Sequence, residues 1–154
     1  MKSIAKIFVL LALSTTLLTY SSCDNTKPPT PTDEEVQLGK LSKTWKATIV
    51  KKDNVVQTGY TNFTLTLSGT VGATSFGYTT TGRPALSPWP SSGSWKFDTD
   101  PLTSIIRDDG TVDKLNITYT VTDATLEITF NFQGTGYAGR VDNVKGQWVM
   151  TFGL

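Results

Sequence analysis

The sequence predicts an all-β domain: an eight-stranded antiparallel up-and-down barrel preceded by a short N-terminal helix. From residue 44 to the C-terminus, apolar and polar residues alternate with a period of two, which is typical of strands that bury one face. Turn-forming residues separate these runs at hairpin spacing. The same strands could form a two-sheet β-sandwich. We favour the barrel because closure leaves no exposed sheet edge in a chain with few helices to cover one.

The size, charge and composition of the chain exclude several classes of function. Its 154 residues are enough for one domain. When Lys2 and Lys6 are lost with a leader, the 14 basic residues fall to 12 against 13 acidic ones, which leaves no basic excess for nucleic acid. The chain has no histidine and one cysteine, which excludes Ser–His triads, zinc sites and intrachain disulfides. We therefore predict no cofactor and no nucleic-acid partner.

Residues 1–22 have the three regions of an export signal. A start with two lysines is followed by an apolar run over residues 7–18 and by the small residues Ser21 and Ser22. The apolar run is interrupted at residues 14–16 and is shorter than the roughly 20 residues that a membrane span needs. We predict a signal peptide that is removed after export.

The only cysteine, Cys23, stands directly after this small-residue pair. The segment Leu17–Cys23 resembles the lipobox of bacterial lipoproteins, with Tyr20 where the usual motif has Leu, as in degenerate lipoboxes of the Bacteroidetes type. The resemblance implies an acylated Cys23 and attachment of the mature protein to a membrane, with the outer membrane as the expected address and its periplasmic or surface face left open. The alternative is a secreted protein with a free thiol.

A tether and a helix are predicted to follow. Residues 23–32 contain the acylated cysteine and a segment rich in proline and threonine, which favours extended conformations and forms a semi-rigid spacer. The folded domain is predicted at residues 33–154. It begins with a helix from Asp33 to about Leu41, with Thr32 as N-cap and Glu35 at the capping-box position.

The alternating runs define the two faces of the barrel wall. Threonine dominates the polar face because its branched carbon suits a pleated strand. The residues predicted to face inward are Trp45, Ala47, Ile49, Phe63, Leu65, Leu67, Phe76, Tyr78, Trp95, Phe97, Leu115, Ile117, Tyr119, Val121, Leu126, Ile128, Phe130, Phe132, Trp148, Met150 and Phe152.

Two segments depart from regular alternation. Residues 102–107 contain the adjacent pair Ile105 and Ile106, so we predict an eighth strand there with a bulge or an edge position. Residues 81–93 form the longest irregular piece and contain three prolines and Trp89. The aspartates of the loops are interpreted as solvated turn residues, with calcium binding as the alternative.

The domain resembles a group of uncharacterised lipocalin-like lipoproteins of the Bacteroidetes type. Leu41–Trp45, directly after a short helix, looks like the G-x-W opening of lipocalin-like barrels, with Lys43 in the glycine position. The segments 92–106 and 140–152 carry the more specific similarity. The resemblance implies a lipocalin-like barrel and supplies no catalytic residue.

The expected function is non-enzymatic binding of a small apolar or amphipathic ligand. The inward residues other than Ala47 are nearly all large, so we expect a filled interior and a ligand site at the open end of the barrel. Arg83, Trp89 and Tyr137 lie on the long loops and are the candidate ligand-binding residues, with loop packing as their alternative role.

Two other functions remain open at this stage. The first is a structural or accessory lipoprotein that docks on another envelope protein and has no small-molecule ligand. The second is a hydrolase that uses the loop carboxylates, for which Asp108 and Asp109 are the candidates.

Overall fold

The computed structural model describes residues 29–85, 87–134 and 144–154, and these residues lie almost entirely in one compact unit, Pro31–Leu154. The described residues contain one helix and nine strands. Their bounds are α1 Asp33–Leu41, β1 Thr44–Lys52, β2 Val55–Val56, β3 Thr64–Ser68, β4 Phe76–Thr81, β5 Ser92–Phe97, β6 Ser104–Arg107, β7 Leu115–Val121, β8 Thr125–Phe132 and β9 Gly146–Gly153. In the described part of the chain, helices that are long and apolar enough to cross a membrane are absent. The predicted leader and Cys23 lie outside the described residues.

The strands form a closed antiparallel barrel. From β3 to β9 each strand pairs with the next in sequence, and β1 pairs with both β3 and β9, which closes the sheet. β2 is an extra short strand that folds back on the end of β1 through Asp53 and Asn54, both in the left-handed region. The predicted eight-stranded up-and-down, lipocalin-like barrel is confirmed, and the alternative of a two-sheet sandwich is wrong.

The predicted N-terminal helix is confirmed with its cap. The Glu35 backbone N–H donates to Thr32 Oγ1 at 3.2 Å, and the Thr32 N–H donates to Glu35 Oε2 at 2.7 Å. This reciprocal pair forms a capping box, which satisfies donors that a helix N-terminus leaves free. Leu38 and Leu41 are buried, so α1 covers the end of the barrel where β1 begins. We call this end the base and the opposite end the mouth.

The interior is filled by large side chains, as predicted. Of the predicted inward residues, Phe97 and Val121 are partly buried against the core, and only Ile49 is exposed. Three tryptophans, Trp45, Trp95 and Trp148, are almost completely buried. At the packing density of protein interiors, such side chains leave little room for a ligand inside an eight-stranded barrel.

Ile49 was predicted to face inward, and this prediction is wrong. The pairing of β1 with β9 shifts register between Ala47 and Ile49, which places one additional residue in β1. The shift exchanges the faces of the following residues, so that Ile49 is 49% exposed and Val50 is 2% exposed.

Residues 102–107 were predicted to contain a bulge or an edge strand, and this is also wrong. β6 pairs in unbroken register with β5 and with β7, so it is an interior strand of the wall. Ile105 packs into the core, whereas Ile106 lies between Lys96 and Asn116 in the pairing and is buried outside the core cluster. The broken alternation therefore marks an apolar residue covered on the outer face of the barrel.

Candidate ligand site at the barrel mouth

The predicted site residue Trp89 lies inside the mouth and is only 1% exposed. Its ring makes edge contacts with Tyr78 and with Phe130, at centroid distances of 5.3 and 6.1 Å. Arg83 is half-buried, and its Nη1 donates to the Trp89 carbonyl at 2.9 Å. Arg83 and Trp89 thus pack together within one loop, with Trp89 plugging the mouth. Tyr137 lies outside the described residues.

Arg107, which the sequence analysis did not single out, holds this plug in place. The residue is completely buried. Its guanidinium stacks on the Trp89 ring at 4.9 Å, and Nη1 donates to the Pro88 carbonyl at 2.9 Å. Nη2 donates to the Asp113 carbonyl at 3.4 Å, so one side chain joins two loops of the mouth.

Asp108 supplies the negative partner of this buried cation. Its Oδ2 lies 3.2 Å from Arg107 Nε and accepts a hydrogen bond from the Tyr78 hydroxyl at 2.8 Å. Oδ1 accepts from the Ser94 backbone N–H at 2.9 Å. A Cβ atom on Gly93 would lie 2.2 Å from this Oδ1, so the approach of the carboxylate requires glycine at position 93. Asp108 is therefore part of the framework of the mouth.

Asp109, the other predicted hydrolase candidate, points to two lysines. Its carboxylate lies 2.6 Å from Lys96 Nζ and 2.8 Å from Lys114 Nζ. Hydrogen bonds from Lys114 and then Lys96 lower the pKa of Asp109 to about 2. The carboxylate stays ionised and is engaged by two cations, which does not favour a role in proton transfer.

This ion-pair cluster gives a testable pH dependence. Because the pKa of Asp109 is lower in the folded protein than its usual value, the stabilisation is complete above about pH 4 and is lost as the pH falls through about 2. We expect Asp109→Asn to lower the thermal midpoint at pH 5 and to have little effect near pH 2, as measured by circular dichroism across this range. Asp123→Asn, in the exposed loop after β7, is the control. A deficit of Asp109→Asn that persists unchanged at pH 2 would contradict the assignment.

A gap in the barrel wall lies beside the plug. β7 and β8 pair only between residues 118–121 and 126–129, although β7 begins at Leu115 and β8 extends to Phe132. Over the same residues β7 remains paired with β6, and β8 remains paired with β9. The two strands thus diverge toward the mouth, and three residues of each strand have no partner in the other.

Two adjoining clefts lie at this gap and on the outer face of the wall beside it. The larger has a volume of about 670 Å³ and lies at the mouth, between residues 112–116 and residues 131–134. The second, of about 440 Å³, continues along residues 116–118 and 129–131. Asn116 and Asn131 line both clefts. Both volumes fall in the range of about 300–1,000 Å³ that small-molecule sites occupy.

The lining of the larger cleft is amphipathic. Val112, Leu115 and Phe132 supply apolar surface, whereas Asn116 and Asn131 supply amide donors and acceptors. This combination of apolar area with a few polar groups is typical of sites for small amphipathic molecules. The alternation of the sequence correctly predicted that Leu115 and Phe132 face inward on their strands. It could not identify the site, because an alternating strand gives no sign of where its neighbour diverges.

Within residues 29–85, 87–134 and 144–154, acidic side chains do not gather into a group of three that could hold a metal ion. Comparison of the chain with protein-family models, with curated proteins and with solved structures finds no match.

Proposed function

We propose that this chain is a lipid-anchored, non-enzymatic protein of the outer membrane that binds a small amphipathic ligand at the barrel mouth. The observation that carries the proposal is the cleft of about 670 Å³ between β7 and β8. The filled interior supports a site at the mouth over a central one, because the buried side chains occupy the space that an internal ligand would need. Within the mouth, the open cleft is a better site than the loop of Arg83 and Trp89, whose groups are engaged in packing.

The non-enzymatic part of the proposal draws support from the carboxylates. Asp108 is bound to Arg107 and Tyr78, and Asp109 is bound to Lys96 and Lys114. Each carboxylate is accounted for by a structural partner, so neither is an obvious general acid or base.

The binding function can be tested by titrating the Cys23→Ser chain, kept free of detergent, with the fluorescent apolar amine N-phenyl-1-naphthylamine. We expect saturable binding of one molecule per chain. Val112→Asp should weaken it at least tenfold, because a carboxylate then replaces an exposed apolar group that lines the cleft. Val55→Asp, a change of the same type at an exposed valine of β2, should leave it unchanged. Unsaturable binding, or equal effects of the two substitutions, would overturn the proposal.

The anchor is tested separately, through Cys23. We expect mass spectrometry of the mature protein to find an N-terminal Cys23 that carries acyl chains, and Cys23→Ser to release the protein from the outer-membrane fraction. Acyl chains contribute about 0.8 kcal/mol per buried CH₂ group, so several chains hold a domain firmly at a membrane. A free thiol at position 23 in the exported protein would contradict this prediction.

A second candidate function, docking on another envelope protein, is favoured by a specific surface. The hairpin of β1 and β2 exposes Ile49 and Val56, two large apolar side chains that line one cleft of about 540 Å³. A fixed partner that co-purifies after gentle extraction, and that Val56→Asp releases, would favour docking over ligand binding.

A further inference from the structure

We propose that the gap between β7 and β8 binds an extended peptide, which adds to the barrel wall as a strand. This inference rests on the proposed function and names the class of its amphipathic ligand. Three observations support the inference: the pairing of the strands, the alternating faces of the residues beside the gap, and the charge of the side chains that line the clefts.

The pairing leaves open ladder positions. Alternate residues of a strand direct their backbone N–H and C=O groups to opposite neighbours. Residues 115 and 117 therefore bond to β6, and residues 130 and 132 bond to β9. Asn116 of β7 and Asn131 of β8 direct these groups toward the gap and have no partner across it in the described ladder, and this is the chemistry that an added strand recognises.

The faces of the gap set the side-chain pattern of the peptide. Leu115 and Phe132 face the core and are buried, whereas Asn116 and Asn131 face outward and are exposed. Since successive side chains of a strand point to opposite faces, a peptide in the gap would place apolar residues inward and polar residues outward. The aromatic rings at this site, Phe130 and Phe132, are buried, so the flat exposed ring on which a sugar would stack is missing from the described lining of the clefts.

The charge of the clefts favours a basic peptide. Asp98 lines the smaller cleft and Asp113 lines the larger one. The only cation of the described lining, Lys114, is held by Asp109 at 2.8 Å. The described lining thus holds more carboxylates than cations, and lysines at the outward positions of the peptide would meet this excess of negative charge.

Fluorescence polarisation with a labelled probe peptide tests this inference on the full chain in mild detergent. The probe is the capped heptapeptide Thr-Val-Lys-Val-Thr-Val-Lys. We expect saturable binding that weakens at least tenfold when alternate backbone nitrogens of the probe are methylated, because methylation removes the ladder donors and keeps every side chain. Replacement of both probe lysines by Glu should weaken binding at least threefold at low salt and less at high salt.

Matched variants locate the site. Asn116→Trp places a large ring in both clefts and should abolish binding of the probe. Thr120→Trp, on the same exposed face of β7 where the ladder to β8 is complete, should leave binding unchanged. Equal effects of the two substitutions would overturn the inference.

Amide hydrogen exchange supplies a readout that does not depend on affinity. The amides of Asn116 and Asn131, which face the gap, should exchange fast in the free protein and at least tenfold more slowly with bound probe. Slow exchange without the probe would show that the ladder is already complete and would overturn the inference. Binding of N-phenyl-1-naphthylamine together with no binding of the probe, or with equal binding of the methylated probe, would reject the peptide and leave the proposed function standing. An oligosaccharide that displaces N-phenyl-1-naphthylamine where the probe fails would identify the ligand as a sugar.

Discussion

Arg107→Ala is expected to destabilise the protein by about 3–5 kcal/mol, the cost of removing one partner from a buried ion pair. The substitution leaves the carboxylate of Asp108 buried beside Tyr78 without its cation. It also removes the donors to the Pro88 and Asp113 carbonyls and the cation that stacks on Trp89. Urea unfolding followed by tryptophan fluorescence measures the change.

Two further variants separate the ion pair from the simple loss of side-chain volume. Arg83→Ala removes a half-buried arginine that makes one hydrogen bond to the same loop, and it should cost about 1 kcal/mol. Arg107→Ala combined with Asp108→Asn should recover part of the loss, because the isolated charge is then absent. If Arg107→Ala costs no more than Arg83→Ala, the proposed role of the buried pair is wrong.

The barrel could be predicted from the sequence because the signals for its strands and its helix each lie within a few neighbouring residues. In each strand, apolar residues such as Leu126, Ile128 and Phe130 alternate with polar ones, and this alternation indicates which face is buried. The capping box at Thr32 and Glu35 is likewise complete within four residues. Such signals need no knowledge of what lies across the barrel.

The predictions that are wrong depend on relations between strands. Ile49 is on the outer face because β1 and β9 shift register between Ala47 and Ile49, and the local sequence of β1 carries no glycine or other mark of the shift. Arg107 follows two isoleucines in an apolar strand, a pattern that is compatible with an exposed charge at a strand end. Position 107 is buried because the Pro88–Trp89 segment of another loop packs against the Arg107 side chain.

The sequence predicted a ligand site at the open end of the barrel, and the cleft that we propose as the site lies at the same end but is formed by other residues. Arg83 and Trp89 do lie at the mouth, but their polar and aromatic groups stabilise the loop. The cleft is formed instead by Asn116 and Asn131 and their neighbours, where β7 leaves β8. The plug fills the mouth with buried side chains, and the divergence of the strands beside it exposes polar and apolar groups.

Trp89→Ala should open an apolar cavity inside the mouth and cost about 3–5 kcal/mol of stability. The ring lies among Tyr78, Phe130 and Arg107, and its removal forfeits these contacts. Trp89→Phe should cost less, because the buried indole Nε1 has no hydrogen-bond acceptor among the described residues and the change therefore breaks no such bond.

Indole tests whether the mouth is a preformed shell around this ring. In Trp89→Ala, added indole should enter the vacated space and raise the urea midpoint, since a ligand that binds only the folded state stabilises it by about 2.7 kcal/mol at one hundred times its Kd. Wild-type protein and Trp89→Phe should show no such rise, because the space is already filled. A shift of equal size in all three proteins would mean that indole binds elsewhere. A stability loss below about 1 kcal/mol in Trp89→Ala, without rescue, would mean that the loop collapses into the space and that Trp89 is not the plug of the barrel.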